Sequence, residues 1–171
     1  QSEEVIKNKK YHSTKKEDDT FKPLMKGKDC NRYYYIKRDD QWVSYGQWLA
    51  APRSSEYFKG ERIILRQILG KTLLATIISE EYIIDQTIFI AKPKNEDINL
   101  YYILGLVNSK LFSFYFKLAN DEIDELFPKV KLRQFKDLPI MSENKKSIEI
   151  GNNVQHMLDL HRRQSAARDP R

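Results

Sequence analysis

At 171 residues and 20.3 kDa, the chain is long enough for one domain with one core. Its 40% hydrophobic and 12% aromatic residues exclude an intrinsically disordered chain, and the 32% charged residues must lie mostly at the surface. A formal charge of +6 and a pI near 9.2 favour an anionic partner over an acidic-surface role.

No apolar run approaches the ~20 residues of a spanning helix. The start, Gln1-Ser2-Glu3-Glu4, lacks the charged-then-apolar layout of a signal peptide, so a cytoplasmic location and no membrane partner are expected. A start at Gln rather than Met is what a piece of a longer protein would show. Cys30 is the single cysteine, which rules out an internal disulfide and a cysteine metal cluster. A small buried hydrophobe is its expected role.

Charge is unevenly spread. Residues 1–38 hold eleven Lys or Arg against six acids. Within them, residues 1–20 are charged with almost no apolar periodicity and are expected to form a linker or loosely attached arm. From Phe21 the pattern changes. Tyr33-Tyr34-Tyr35-Ile36-Lys37 is strand-prone, and Gln41-Trp42-Val43 could pair with it across a turn at Arg38-Asp39-Asp40. The run Arg62–Gln67 and the run Thr72–Ile78 flank Gly70 and predict a hairpin. A third run, Gln86–Ile90, follows. With so few polar interruptions, these strands should be covered on both faces for part of their length.

Over residues 98–118 the period becomes helical. Leu100, Ile103, Leu104, Val107, Leu111, Phe114, Tyr115 and Leu118 recur at three- and four-residue spacing. The spacing predicts one long amphipathic helix. An acidic cluster, Asp121-Glu122-Ile123-Asp124-Glu125, and an extended piece through Phe127–Arg133 come next. A last helix is expected from Ser147 through Arg163, with Ile150, Val154, Met157 and His161 on one side and Gly151 weakening it by ~1 kcal/mol. The fold class is therefore α+β: a twisted, mainly antiparallel sheet over 33–90 packed by one long amphipathic helix, with a C-terminal helix. The domain division is a 1–20 arm, a 21–141 domain and a 142–171 helix and tail.

Several chemistries find no support. No glycine pair has the spacing of a dinucleotide or phosphate-cradling loop. The six prolines are isolated, so the Asn-Pro-Pro-aromatic motif of amino-methyltransferases is missing. His156 and His161 lie five apart and do not converge on a metal. The acids at 121–125 read as solvated surface ahead of a metal site. In an extended chain Lys129, Lys131 and Arg133 share one face, and they could either track phosphates or form the outer face of an edge strand. Arg66 interrupts an apolar strand. An internal pair with Asp85 is favoured for it over a base contact. Tyr33, Tyr34 and Tyr35 read as core and sheet surface rather than base-stacking platforms.

Four blocks resemble the TaqI-like C-terminal specificity domain of N6-adenine DNA methyltransferases. They are Lys26-Gly27-Lys28-Asp29 with Arg32-Tyr33; Ile64–Gln67 through Gly70–Thr76; Asp85-Gln86-Thr87; and Leu106–Phe112. A closing segment resembles Leu126–Lys131 to Leu138-Pro139-Ile140. Together they cover roughly 24–140. Two positions depart from the family pattern: Cys30 stands where an aliphatic residue is usual, and Leu69 where a second glycine is common.

The resemblance implies a non-catalytic module that selects a duplex DNA site, with a methyltransferase catalytic domain in the same polypeptide holding S-adenosylmethionine and flipping the adenine. It implies no cofactor in this chain, and leaves open whether a nuclease is fused. Phosphate contacts are expected from Lys28, Arg32, Lys71, Lys129, Lys131 and Arg133. Two other readings stand beside it: half of a type I restriction specificity subunit, and an independent metal-dependent nuclease centred on residues 121–125.

Overall fold

The structure, a computed structural model, describes residues 10–68, 70–95, 97–120, 131–142 and 144–168. It is α+β, as the patterning implies, with the strands divided between two sheets. β1 (His12–Ser13), β3 (Trp42–Ser44), β2 (Phe21–Met25) and β6 (Ile83–Ile84) form the first in that order. Its pairs are antiparallel except β2–β6, which is parallel. The second sheet is antiparallel, with β4 (Arg62–Arg66) between β5 (Ala75–Ile78) and β7 (Ile88–Ala91).

The Arg62–Gln67 and Thr72–Ile78 runs do pair, and β4 is covered on both faces. Ile63 and Leu65 join Leu73, Leu104, Val107, Phe116 and Leu158 in the larger core. Ile64, on the opposite side of the pleat, meets Met25, Cys30, Ile78 and Ile88. The last pair of the ladder is Leu65–Ala75, and an eight-residue loop, 67–74, rather than a tight glycine turn connects the two strands.

The expected pairing of 33–37 with 41–43 does not occur. Trp42–Ser44 pairs with Phe21–Pro23 and His12–Ser13, so part of the 1–20 segment is a strand. The segment 33–37 makes one bridge, Tyr35 to Cys30. The reason is Asp29. Its buried carboxylate accepts hydrogen bonds from Lys26 N (3.1 Å), Arg38 Nε (3.2 Å) and Gln41 Nε2 (3.1 Å), which gathers 26–41 into a loop around one anion.

The single helix expected over 98–118 is two: α1 (Leu100–Val107) and α2 (Lys110–Ala119). Asn108 makes the break. Its Oδ1 accepts from Ala75 N (3.0 Å) and its Nδ2 donates to Ala75 O (2.9 Å), so the side chain pairs with the outer edge of β5. Ser109 then caps α2 by accepting from Phe112 N (3.0 Å). After the break α2 buries Phe112 and Phe116, while Leu111, Phe114, Tyr115 and Leu118 of the predicted stripe are exposed.

A short helix, α3 (Leu132–Lys136), replaces the last part of the expected extended piece. The final helix, α4 (Lys145–Arg168), begins two residues before Ser147, because Asn144 Oδ1 caps it by accepting from Lys146 N and Ser147 N. It continues unbroken through Gly151. A Cβ there would lie 2.9 Å from Asn99 Nδ2, so the glycine lets α4 approach the start of α1 closely. The acids 121–125 and Lys129 lie outside the described residues, and among the described residues no group of acids, His or Cys is arranged to hold a metal ion.

Candidate nucleic-acid interface

Three connections meet at one end of the two sheets: the loop after β2, the loop after β4 and the turn after β6. The sequence blocks that carry the resemblance are the joints between them. Gly27, in the 3₁₀ turn Gly27–Asp29, donates its N–H to Thr87 Oγ1 at 2.7 Å. A Cβ on Gly27 would sit 2.6 Å from that same oxygen, so only glycine fits. Thr87 is held by Asp85, whose carboxylate accepts from its N–H (2.8 Å) and its hydroxyl. Gln67 N donates to Thr87 O at 2.8 Å, which ties in the loop after β4.

The cations are distributed over this frame. Lys28 is exposed on the 3₁₀ turn. Arg32 lies with its guanidinium 5.4 Å from the Tyr33 ring centroid, and its Nε is buried without a hydrogen-bond partner. Lys71 is exposed in the 67–74 loop, where its carbonyl accepts from Lys117 Nζ of α2 at 3.0 Å. Leu73 N in the same loop donates to Ser113 Oγ of α2. Lys28 and Arg32 thus stand on a loop tied through Thr87 to the loop of Lys71, and Lys117, which periodicity alone did not single out, reaches that second loop.

Arg66, the last residue of β4, stands next to the 67–74 loop and corrects an expectation. It forms no ion pair with Asp85, whose Oδ1 accepts from Thr87 N and Thr87 Oγ1 in a local turn. Arg66 Nε is buried and unpartnered, like that of Arg32. Arg62, at the opposite end of β4, also has a buried Nε without a partner, but its terminal nitrogens donate to Gly60 O (2.7 Å) and Glu80 O (2.8 Å).

Lys131 and Arg133 lie elsewhere. Lys131 precedes α3, with its N–H on Gln134 Oε1 at 2.7 Å, and Arg133 is in the first turn. They do not alternate along a strand, because capping starts a helix at Leu132. Both are exposed.

Two anchors fix the loop that carries Arg32. On one side the Tyr35 hydroxyl donates to Glu80, and Lys37 Nζ lies 3.0 Å from the same carboxylate. Partial burial pushes the Glu80 carboxyl up, but these two donors outweigh it and hold it down to about 2. A depressed carboxyl stabilises the fold above its unfolded pKa of ~4.3 and loses that contribution as pH falls through its folded value. Wild type should therefore melt above Glu80→Gln at neutral pH, and the two should converge near pH 2. The effect is small because Glu80 is 46% exposed. A difference that persists at pH 2 would contradict this assignment.

On the other side Cys30 is fully buried, with Sγ 3.6 Å from Ile64 O and 3.8 Å from Leu74 O. Burial pushes its thiol up to about 12. Cys30 is thus the buried small residue the sequence implies. A thiol reagent at pH 8 should leave the native chain unlabelled and modify it fully after denaturation. Rapid labelling of the native chain would show that this joint opens.

The fold and this loop end define the class: a small α+β module, without the glycine-rich loops of a nucleotide-binding domain, that presents basic side chains from several loops. The model of the TaqI-like C-terminal specificity domain matches residues 22–140, and the chain belongs to that family. It is also 25% identical over 150 residues, 84% of its length, to a Methanocaldococcus jannaschii protein whose assigned name proposes a type II restriction enzyme and methyltransferase. The chain spans 12% of that relative's length.

Proposed function

We propose that this chain recognises a specific duplex DNA sequence and presents it to an adenine-specific methyltransferase catalytic domain of the same polypeptide, within a cytoplasmic restriction-modification system. What supports this reading is that Lys28 and Arg32 stand on one loop and Lys71 on another, the two tied together through Thr87, in a chain of the specificity-domain family. Cations on separate loops can follow a phosphate backbone while neighbouring loop side chains read base edges. S-adenosylmethionine belongs, in this reading, to the catalytic domain, and the chemistry is done there. Lys129, Lys131 and Arg133 remain phosphate contacts of the same reading, with Lys131 and Arg133 acting from the start of α3. No helix among the described residues is long and apolar enough to cross a membrane.

Duplex binding should be weak and steeply salt-dependent, with a log–log slope of about 0.9 per phosphate contact. Fluorescence anisotropy between ~50 and ~200 mM salt measures it. Replacing Lys28, Arg32 and Lys71 together by Ala should lower the slope by about three units. A slope unchanged by the triple substitution would place the DNA elsewhere.

A further inference from the structure

Tyr33 is the only non-glycine residue with a positive φ among the described residues, at +67°. A bulky side chain rarely adopts this left-handed backbone, and it persists where surrounding structure over-determines it. Three contacts do so here. Tyr33 N donates to Ala75 O at 3.0 Å. Its ring is buried in the larger core, and it stacks on the His161 ring with centroids 6.4 Å apart. Tyr34, more exposed, stacks on the same imidazole at 5.2 Å and 22°.

His161 is held by a helix that is itself well seated. It continues the stripe Ser147, Ile150, Val154 and Leu158 along the face of α4 that packs on the core. The strained turn therefore has its neighbours clasped by a ring that α4 fixes. Arg32 is the residue just before it, with its guanidinium against the Tyr33 ring and its Nε buried without a partner.

We infer that His161 is a positioning residue for DNA binding: stacked on Tyr33 and Tyr34, it holds the left-handed turn that presents Arg32 to a backbone phosphate. This rests on the proposed DNA role of Arg32. The C-terminal helix, which carries none of the basic loops, thereby sets the aim of one of them. A purely structural His161 would support the core without any link to the phosphate contact, and the two roles separate in a double-mutant cycle.

The measurement is duplex affinity and salt slope for the whole chain. His161→Ala should weaken binding about three- to tenfold, the effect expected of a coupling of modest size between touching residues. It should also lower the slope by about one unit, as loss of one phosphate contact does. Tyr34→Ala removes the other half of the stack at an exposed position and should give the same loss, so it carries the test if His161→Ala does not fold. His161→Phe keeps a ring in place and should bind close to wild type. In an Arg32→Ala background, His161→Ala should cause no further loss.

An equal loss from His161→Ala in both backgrounds would overturn the inference. So would a His161→Phe variant that binds no better than His161→Ala. If Arg32→Ala alone changes neither affinity nor slope, the phosphate role of Arg32 fails, and the positioning role falls with it.

Discussion

Asn108→Ala should lower the unfolding free energy by about 1–3 kcal/mol, the cost of a buried polar group stripped of its partner. Asn108 is fully buried. Its amide satisfies both the N–H and the carbonyl of Ala75, the first residue of an edge strand. Alanine would leave that N–H without the side-chain oxygen that now accepts it, in a site closed by α1 and α2. The carbonyl keeps one donor, Tyr33 N, so the loss falls mainly on the N–H. Asn108→Asp is a sharper probe: it retains the acceptor but removes the donor and buries a charge, so it should be at least as damaging. Urea unfolding midpoints measure both. A loss below ~1 kcal/mol for Asn108→Ala would show that the α1–α2 break is set by something other than this pairing.

Asp29→Ala should cost about 3–5 kcal/mol, the range for breaking a buried charged pair. It should also loosen the whole 26–41 loop. Three donors converge on this carboxylate, and one of them, Gln41, is itself buried. Arg38 is 39% exposed at its side chain and can turn to solvent, which keeps the cost toward the lower end. Because Lys28 and Arg32 ride on this loop, the variant should lose DNA affinity even at temperatures where it remains folded. Asp29→Asn keeps two acceptor lone pairs but not the charge, and should fall between wild type and Asp29→Ala. Hydrogen exchange would show faster exchange at Ile36, whose N–H donates to Asp29 O. A stable Asp29→Ala chain with wild-type exchange at Ile36 would contradict the central place given to this residue.

Both residues also mark where the sequence stops being legible. The burial of Cys30 follows from its residue type, while hydrophobic patterning locates β4 and β5, the two-sided burial of Ile63–Leu65 and the C-terminal helix face at Ile150 and Val154. It could not locate the break at Asn108, because α1 and α2 each bury a face and the three- and four-residue spacing runs on across the gap. The signal present was Asn108-Ser109 itself, a poor helix-former followed by a capping residue within an apolar stripe.

Side-chain partners were harder to read than strands. Arg66 and Asp85 have the right charges yet do not pair, and Asp85 Oδ1 instead closes a local turn on Thr87. Likewise Lys131 and Arg133 alternate in sequence, yet the Gln134 side chain reaches back to Lys131 N and begins a helix. Of the site, Lys28, Arg32 and Lys71 were readable as cations near family blocks. That their loops are tied together depends on the long-range joint between Gly27 and Thr87, sixty residues apart. Lys117 and His161 enter only through contacts made in three dimensions.

The most direct test of DNA recognition is selection of duplexes from a random-sequence library by the whole chain, at a salt concentration low enough to retain binding. Enrichment of one short duplex motif is expected, and so is loss of that enrichment when Lys28, Arg32 and Lys71 are replaced by Ala. Retention of the library without any sequence enrichment, or equal retention of single strands, would contradict it.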